Sequence, residues 1–196
     1  AGNRGRRGGC GESLSPERPS LSDAQIAGFA AIAVLVHLVE AGIPSPVPGI
    51  KPGLANVITL IVWARWGLRS AVWVTGLRVL VGSLLVGSFM APGFWLAAAG
   101  ASLSLGTLAL ATGWNRALPR LPLTVVGVSA LLAVAHVSGQ FLLAWRVFVP
   151  HPGLLHLLPL LLAMALALGL ATGWLAQRLL QRLPATTADG YTSTHE

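Results

Sequence analysis

The feature that most limits the fold is a series of long apolar runs that fill most of the chain between residues 25 and 175. A helix needs about 20 apolar residues to cross the hydrocarbon core of a bilayer. Hydrophobic residues make up 54% of the chain and charged residues only 10%, and a soluble domain of this size cannot bury so much apolar surface. The sequence therefore predicts an all-α integral membrane protein with one compact domain.

Six apolar segments divide the membrane domain, which is predicted to cover residues 23–183. They are Gln25–Ile43, Leu54–Trp66, Ser70–Met90, Phe94–Trp114, Thr124–Phe148 and Leu154–Leu175. The second segment is too short to cross a bilayer alone, so it needs the preceding stretch or a thinned, protein-lined region. The prediction is six transmembrane helices with a re-entrant stretch before the second.

Polar tails flank this domain. Residues 1–22 are basic and rich in Gly, Arg, Ser and Pro, a composition typical of disorder. Residues 184–196 form a second polar tail. Cys10 is the one cysteine of the chain, which excludes an intrachain disulfide and a thiolate metal site. We predict neither a metal nor a cofactor.

The positive charges predict the orientation of the helices. With six spans, one side carries ten basic residues: Arg4, Arg6, Arg7, Arg18, Arg65, Arg69, Arg116, Arg120, Arg178 and Arg182. The other side carries Lys51 and Arg146, and Arg78 falls inside the third segment. The positive-inside rule then places both termini in the cytoplasm of a bacterial cell whose inner membrane holds the protein. Because the basic residues are spread over the ends of several helices, the positive net charge of the chain does not indicate a nucleic-acid partner.

Several ionisable and amide side chains interrupt the apolar segments, and their depths converge between the midplane and the outer surface. Groups of this kind are costly in a bilayer and usually face a cavity or a partner. The predicted ligand-binding residues are Glu40, Lys51, Asn56, Arg78, His136 and Gln140. Structural roles compete with this interpretation, since an arginine can also bond to backbone carbonyls and a neutral histidine can bridge two helices.

The stretch "VEAGIPSPVPGIKPGLANVITL", residues 39–60, separates the first two segments. Its prolines prevent a helix, and irregular backbone at membrane depth is tolerated only where it lines a cavity or lies within protein. We interpret residues 40–56 as an outer gate and part of a binding pocket. The gate residues are Pro44, Pro48, Gly49, Pro52 and Gly53. A plain external loop is the alternative.

The same stretch resembles the signature E-x-x-x-P…PG-x-K-x-GLAN-x-x-TL of the Gx transporter family, which is also called heptaprenyl diphosphate synthase component I. "LRVLVGSLLVGS" and "GVSALLAVAHVSGQFLLA" are similar to its motifs in the third and fifth spans. The resemblance covers roughly residues 25–183. By this resemblance, the residues that match the polar motif positions of the family are Glu40, Pro48, Gly49, Lys51, Gly53, Leu54, Asn56, Arg78, His136, Gly139 and Gln140.

This family is similar to the substrate-binding S components of energy-coupling-factor transporters, which implies a six-helix fold. S components meet their energising module through small residues of the first helix. By this resemblance Ala27 and Ala31, four residues apart, would form that contact.

Three functions remain open on the sequence. The first is a membrane substrate-binding or transport component for a small polar or anionic ligand, with energy from a partner or a gradient because the chain has no P-loop. The second is a prenyl diphosphate synthase subunit, although no carboxylate pair is present to hold Mg²⁺, so we expect no enzyme activity from the chain alone. The third is a membrane subunit of a redox or electron-transfer complex.

Overall fold

The computed structural model describes residues 21–42 and 55–183, and every regular element in these ranges is helical. The α-helices are α1 (Asp23–Gly42), α2 (Ala55–Trp66), α3 (Leu68–Leu85), α4 (Pro92–Ala117), α5 (Val125–Leu143) and α6 (Leu158–Arg182). A π-helical turn, Ala144–Phe148, continues α5, and a 3₁₀ segment, Pro152–Leu157, leads into α6. Residues 1–20 and 184–196 of the two predicted tails lie outside the described residues, as do residues 43–54 of the predicted gate, with Pro44, Pro48, Gly49, Pro52 and Gly53. The two ends of the predicted gate, residues 40–42 and 55–56, belong to α1 and α2.

Five of the helical stretches are long and apolar enough to cross a membrane. They are Asp23–Glu40, Leu68–Leu85, Pro92–Ala117, Val125–Phe148 and Pro152–Arg182. The outward faces of the bundle are apolar as well, with Leu110 76% exposed and Val39 67% exposed. Soluble proteins rarely leave so much contiguous apolar surface in water. The all-helical, membrane-type architecture predicted from the sequence is confirmed at this level.

The short helix α2 packs inside the bundle, where it contacts α1, α3 and α6. Six of its twelve residues are buried. Around it the long helices pack in the order α1, α3, α4, α5, α6. Because α2 has only twelve residues, it occupies only part of the bundle's length.

Two apolar runs of the sequence end differently from the uniform helices that they predicted. The run 70–90 predicted a helix to Met90, but α3 ends at Leu85 because Gly87 adopts a left-handed φ of 71°. The run 124–148 stays helical to Phe148, but its last turn widens into a π-helix. At the other end of α3, Gly67 has φ 90° and turns the chain sharply between α2 and α3.

One end of the bundle is held together by contacts between helix termini. The Trp63 Nε1 atom at the end of α2 donates to Thr112 Oγ1 of α4 at 2.9 Å, and an Arg65 amino group donates to the Leu183 carbonyl at 2.9 Å. The Phe29 ring of α1 packs at a tilt of 49° against Trp66, with 5.1 Å between ring centroids. These contacts bring together the helix ends that carry the arginines of the α2–α3 joint, the α4–α5 loop and the end of α6. We call this the arginine-rich end.

A packed apolar layer lies in the half of the bundle nearer the arginine-rich end. We call it the inner layer, and define it by the five largest side chains that are at most 1% exposed: Leu60, Val62, Val74, Leu108 and Val128. Next to it, glycines of α6 permit close packing on α5. A Cβ atom on Gly169 would lie 2.7 Å from the Cβ of Ala133, and one on Gly173 would lie 2.7 Å from the Cβ of Ser129. Small residues of this kind let membrane helices approach closely.

Candidate functional site

Arg78 is the centre of the candidate site. It lies in the second half of α3 and is only 7% exposed, although it is charged. Its Nη1 atom donates to Oδ1 of Asn56, in the first turn of α2, at 2.8 Å. The Glu40 carboxylate of α1, 3% exposed, lies close enough for the two opposite charges to attract each other. Three helices thus contribute one polar group each, and two of these groups, Arg78 and Glu40, are buried.

His37 and Glu40 lie one turn apart on α1, as their spacing predicts. Both face the interior of the bundle and line the cavity described below. The His37 ring packs over Gly82 of α3, where a Cβ atom would lie 3.1 Å from its Cδ2 atom. A small residue in α3 therefore makes room for an imidazole from α1.

His136 and Gln140 lie one turn apart on α5 and bond to each other. The amide nitrogen of Gln140 is 3.2 Å from Nε2 of His136. Since an amide nitrogen only donates, the imidazole accepts through Nε2 and is neutral in this arrangement. The ring also packs against Gly100 of α4, where a Cβ atom would lie 3.0 Å from its Cε1 atom.

Two glycines determine how closely these groups approach α4. A Cβ atom on Gly100 would lie 2.8 Å from Cγ of Gln140, and one on Gly139 would lie 2.7 Å from the Ala99 carbonyl oxygen. No side chain fits at either position without movement of its neighbours. The glycines therefore position His136 and Gln140 against α4 and next to Arg78.

These groups line one cavity of about 640 Å³. This is within the range of about 300–1,000 Å³ that is typical of small-molecule sites. Its polar side chains within the described residues are His37, Glu40, Asn56, Arg78, Ser83, Ser88, His136, Gln140 and Thr172. The remaining wall is apolar and comes mainly from α4, α5 and α6, with Phe94, Leu96, Val137, Phe141, Leu154, Leu161 and Leu168. We call Glu40, Asn56, Arg78, His136 and Gln140 the polar pole of the site, and we call its apolar lining residues the apolar wall.

A second cavity, of about 20 Å³, adjoins Arg78, Asn56 and His136. Its other polar lining comes from Thr59, Thr75 and Ser104. The hydroxyls of Thr59 and Thr75 are 3.2 Å apart, which links α2 to α3. Leu105, Leu108 and Leu132 complete its lining, and Leu108 belongs to the inner layer. This space is large enough for one water molecule and no larger ligand.

The structure brings together five of the six predicted ligand-binding residues: Glu40, Asn56, Arg78, His136 and Gln140. Lys51 lies outside the described residues. Ala27 and Ala31, predicted to contact a partner helix, are exposed on α1. Within the described ranges, no group of three or more His, Cys, Asp or Glu side chains is placed to hold a metal ion.

Sequence reasoning missed part of the lining. The hydroxyls of Ser83 and Thr172 were not predicted, because single Ser and Thr residues are common in membrane helices and usually bond to their own backbone. Thr172 indeed also bonds to the Leu168 carbonyl, at 2.9 Å. The apolar wall was missed as well. A phenylalanine that faces a cavity and one that faces lipid have the same sequence signal.

A family model described as heptaprenyl diphosphate synthase component I matches residues 29–179. Neither the curated proteins nor the solved structures provide a match to the chain. The matched region begins in α1 and ends in α6, so it contains all the described residues that form the polar pole. Because the match covers well over half of the 196 residues, the chain belongs to the heptaprenyl diphosphate synthase component I family.

Proposed function

We propose that the protein is a membrane substrate-binding or transport component for a small polar or anionic ligand. The observation that carries this proposal is the polar pole, whose five residues come from four helices and line one cavity. Buried ionisable groups are expensive inside a bilayer and commonly mark substrate or ion pathways. Arg78 would contact a negative or acceptor group of the ligand, and His136 with Gln140 would supply directional hydrogen bonds.

The proposal includes six spans, with α2 and the stretch before it forming the second. The cavity would open to the non-cytoplasmic side, with both termini in the cytoplasm of a bacterial cell. The arginine-rich end supports this orientation, because the positive-inside rule favours such an end in the cytoplasm. Energy would come from a partner subunit or a gradient. The exposed Ala27 and Ala31 support a contact with an energising subunit, as in S components.

An accessory role in isoprenoid diphosphate metabolism is the alternative, and the description of the matched family favours it. We propose that the chain would not catalyse prenyl transfer by itself. In the described part of the chain the carboxylates are Asp23 and Glu40, both on α1. At 1.5 Å per residue they lie about 25 Å apart along the helix, too far to share one Mg²⁺ ion.

Native mass spectrometry of the gently purified protein tests the ligand-binding proposal. We expect a small molecule to be retained by the wild type and lost from Arg78→Gln and from Gln140→Ala, because both changes remove groups that line the cavity. Arg178→Gln is the matched control, since Arg178 is exposed and lies against Trp174, near the arginine-rich end. Equal retention by all four proteins would contradict the proposal.

The orientation has a separate test in the one native cysteine. A membrane-impermeant maleimide should label Cys10 in inverted vesicles and leave it unlabelled in right-side-out vesicles, because the N-terminus is proposed to be cytoplasmic. In the control, Cys10→Ser is combined with Leu155→Cys, at an exposed position of the 3₁₀ segment at the opposite end. That variant should label in the reverse pattern. Labelling of Cys10 in right-side-out vesicles would reverse the proposed orientation.

A further inference from the structure

We propose that the loop between α4 and α5, residues 118–124, anchors the protein to anionic phospholipids at the membrane interface. Two of its leucines would insert at the boundary of the acyl chains, and two arginines would bind the head groups. None of the loop residues lines the cavity of the candidate site, so this role is separate from the proposed function. Three observations support it: the exposed side chains of the loop, its hydrogen bonds and its level in the bilayer.

The loop presents apolar and basic side chains together. Leu118 is 41% exposed and Leu121 is 69% exposed. Arg120, between them, and Arg116, in the last turn of α4, are exposed as well. The boundary between head groups and acyl chains stabilises both kinds of side chain, because leucines reach the apolar region while arginines stay at the head groups.

Side-chain hydrogen bonds fix the shape of the loop. The side chain of Asn115 pairs with the backbone of Leu123: its Oδ1 atom accepts from the Leu123 N–H at 2.7 Å, and its Nδ2 atom donates to the Leu123 carbonyl at 3.4 Å. The Nε1 atom of Trp114 donates to the Leu121 carbonyl at 3.1 Å. Two prolines of the loop restrict its backbone further. The leucines are therefore held in position before a lipid binds, which lowers the entropy cost of binding.

The length of α4 indicates that the loop lies at the level of the head groups. At 1.5 Å per residue, the 26 residues of α4 span about 39 Å. This exceeds the hydrocarbon core of about 30 Å and is slightly less than the about 40–45 Å of a bilayer with its head groups. An upright helix of this length, centred in the bilayer, ends among the head groups. Trp114, 48% exposed, lies three residues before that end, where interfacial tryptophans are common.

The two arginines favour anionic over zwitterionic head groups. A guanidinium can bind a phosphate group through two parallel N–H donors. Arg116 and Arg120 precede and follow Leu118 in the chain, so both lie close to the inserted side chains. Attraction to an anionic surface contributes about fivefold in affinity for each arginine, a contribution that zwitterionic lipids do not provide.

The insertion of the loop can be tested with spin labels on the full chain in nanodiscs of phosphatidylglycerol and phosphatidylcholine. In a Cys10→Ser background the label is placed at Leu121→Cys, and Leu110→Cys, at a position of α4 that is 76% exposed, is the reference for lipid contact. We expect dissolved oxygen to reach the label at position 121 more readily than a water-soluble nickel complex does. Preferential access of the nickel complex would place the loop in water, open to a soluble partner, and would contradict the proposal.

The head-group preference can be tested in the same nanodiscs by native mass spectrometry. The measurement is the ratio of phosphatidylglycerol to phosphatidylcholine retained by the protein, relative to their ratio in the nanodisc. We expect Arg116→Gln and Arg120→Gln each to lower this enrichment about fivefold. The double variant Leu118→Ser/Leu121→Ser should lower it too, although both charges remain.

The double variant Arg178→Gln/Arg182→Gln is the matched control. It removes two exposed arginines from α6 at the same end of the bundle, and should retain most of the enrichment. If it loses as much as Arg116→Gln/Arg120→Gln, the charge of the whole arginine-rich end attracts the lipid and the loop is no specific anchor. A wild type without enrichment, or loop variants that keep it, would also overturn the proposal.

Discussion

Arg78→Gln should destabilise the protein by about 3–5 kcal/mol, and a simultaneous Glu40→Gln change should recover most of that loss. Removing one of two opposite buried charges weakens the electrostatic compensation of the other in a medium of low dielectric constant. Glu40 is 3% exposed and its charge attracts that of Arg78, so Arg78→Gln removes this attraction from a buried carboxylate. When both residues become glutamine, neither charge remains to be stabilised.

The measurement is equilibrium unfolding in mixed micelles for the wild type, the two single variants and the double variant. Such a cycle isolates the coupling between the two positions. Arg178→Gln is the control for loss of an arginine at an exposed position, and should change the free energy of unfolding by no more than about 0.5 kcal/mol. If the losses of the two single variants simply add in the double variant, the two charges do not compensate each other.

Gly139→Ala should destabilise the α4–α5 interface by about 1–3 kcal/mol, although alanine is the better helix former. The added Cβ atom would lie 2.7 Å from the Ala99 carbonyl oxygen and 3.1 Å from Cα of Gly100, both of which are backbone atoms that cannot rotate away. The two helices must therefore separate, which also moves His136 and Gln140 relative to Arg78. We expect a lower unfolding midpoint and weaker ligand retention together.

Gly106→Ala is the matched control for this change. Gly106 also lies within a long apolar helix, α4, and a Cβ atom there meets nothing within 4 Å. The same substitution should leave stability unchanged or raise it by up to about 1 kcal/mol, since glycine is costly in a helix. Equal effects of the two substitutions would show that helix propensity, rather than close packing, sets the response.

The polar pole was predictable because its members are rare within apolar segments. Arg78 and His136 stand out in runs that otherwise hold Leu, Val, Ala and Gly, and the desolvation cost of such groups indicates that they meet in the interior. The positions of Glu40, Asn56 and Gln140 along their predicted spans then placed these residues at a similar depth in the membrane. Which neighbours they bond to was not predictable, since that depends on how the helices are rotated.

The helix ends and the apolar wall were harder to predict for a different reason. Hydropathy does not distinguish a continuing helix from a turn made of apolar residues. The end of α3 just before the left-handed Gly87 was therefore not predicted. It also does not distinguish residues that face lipid from those that face a cavity. Phe141 is 6% exposed and Leu142 is 51% exposed, although they are adjacent and both apolar. Their different surroundings arise from tertiary packing alone.

The inner layer separates the cavity from the arginine-rich end by packed apolar side chains. Leu60, Val62, Val74, Leu108 and Val128 are at most 1% exposed in this layer. Trp63 and Arg65 tie the helix termini together on the far side of that layer. In the proposed transport function, a molecule held at Arg78 would exchange with one compartment while the helices keep these positions. Its passage to the other compartment would require these side chains to separate, and the work of opening that apolar contact would set the least that an energy source must supply per cycle.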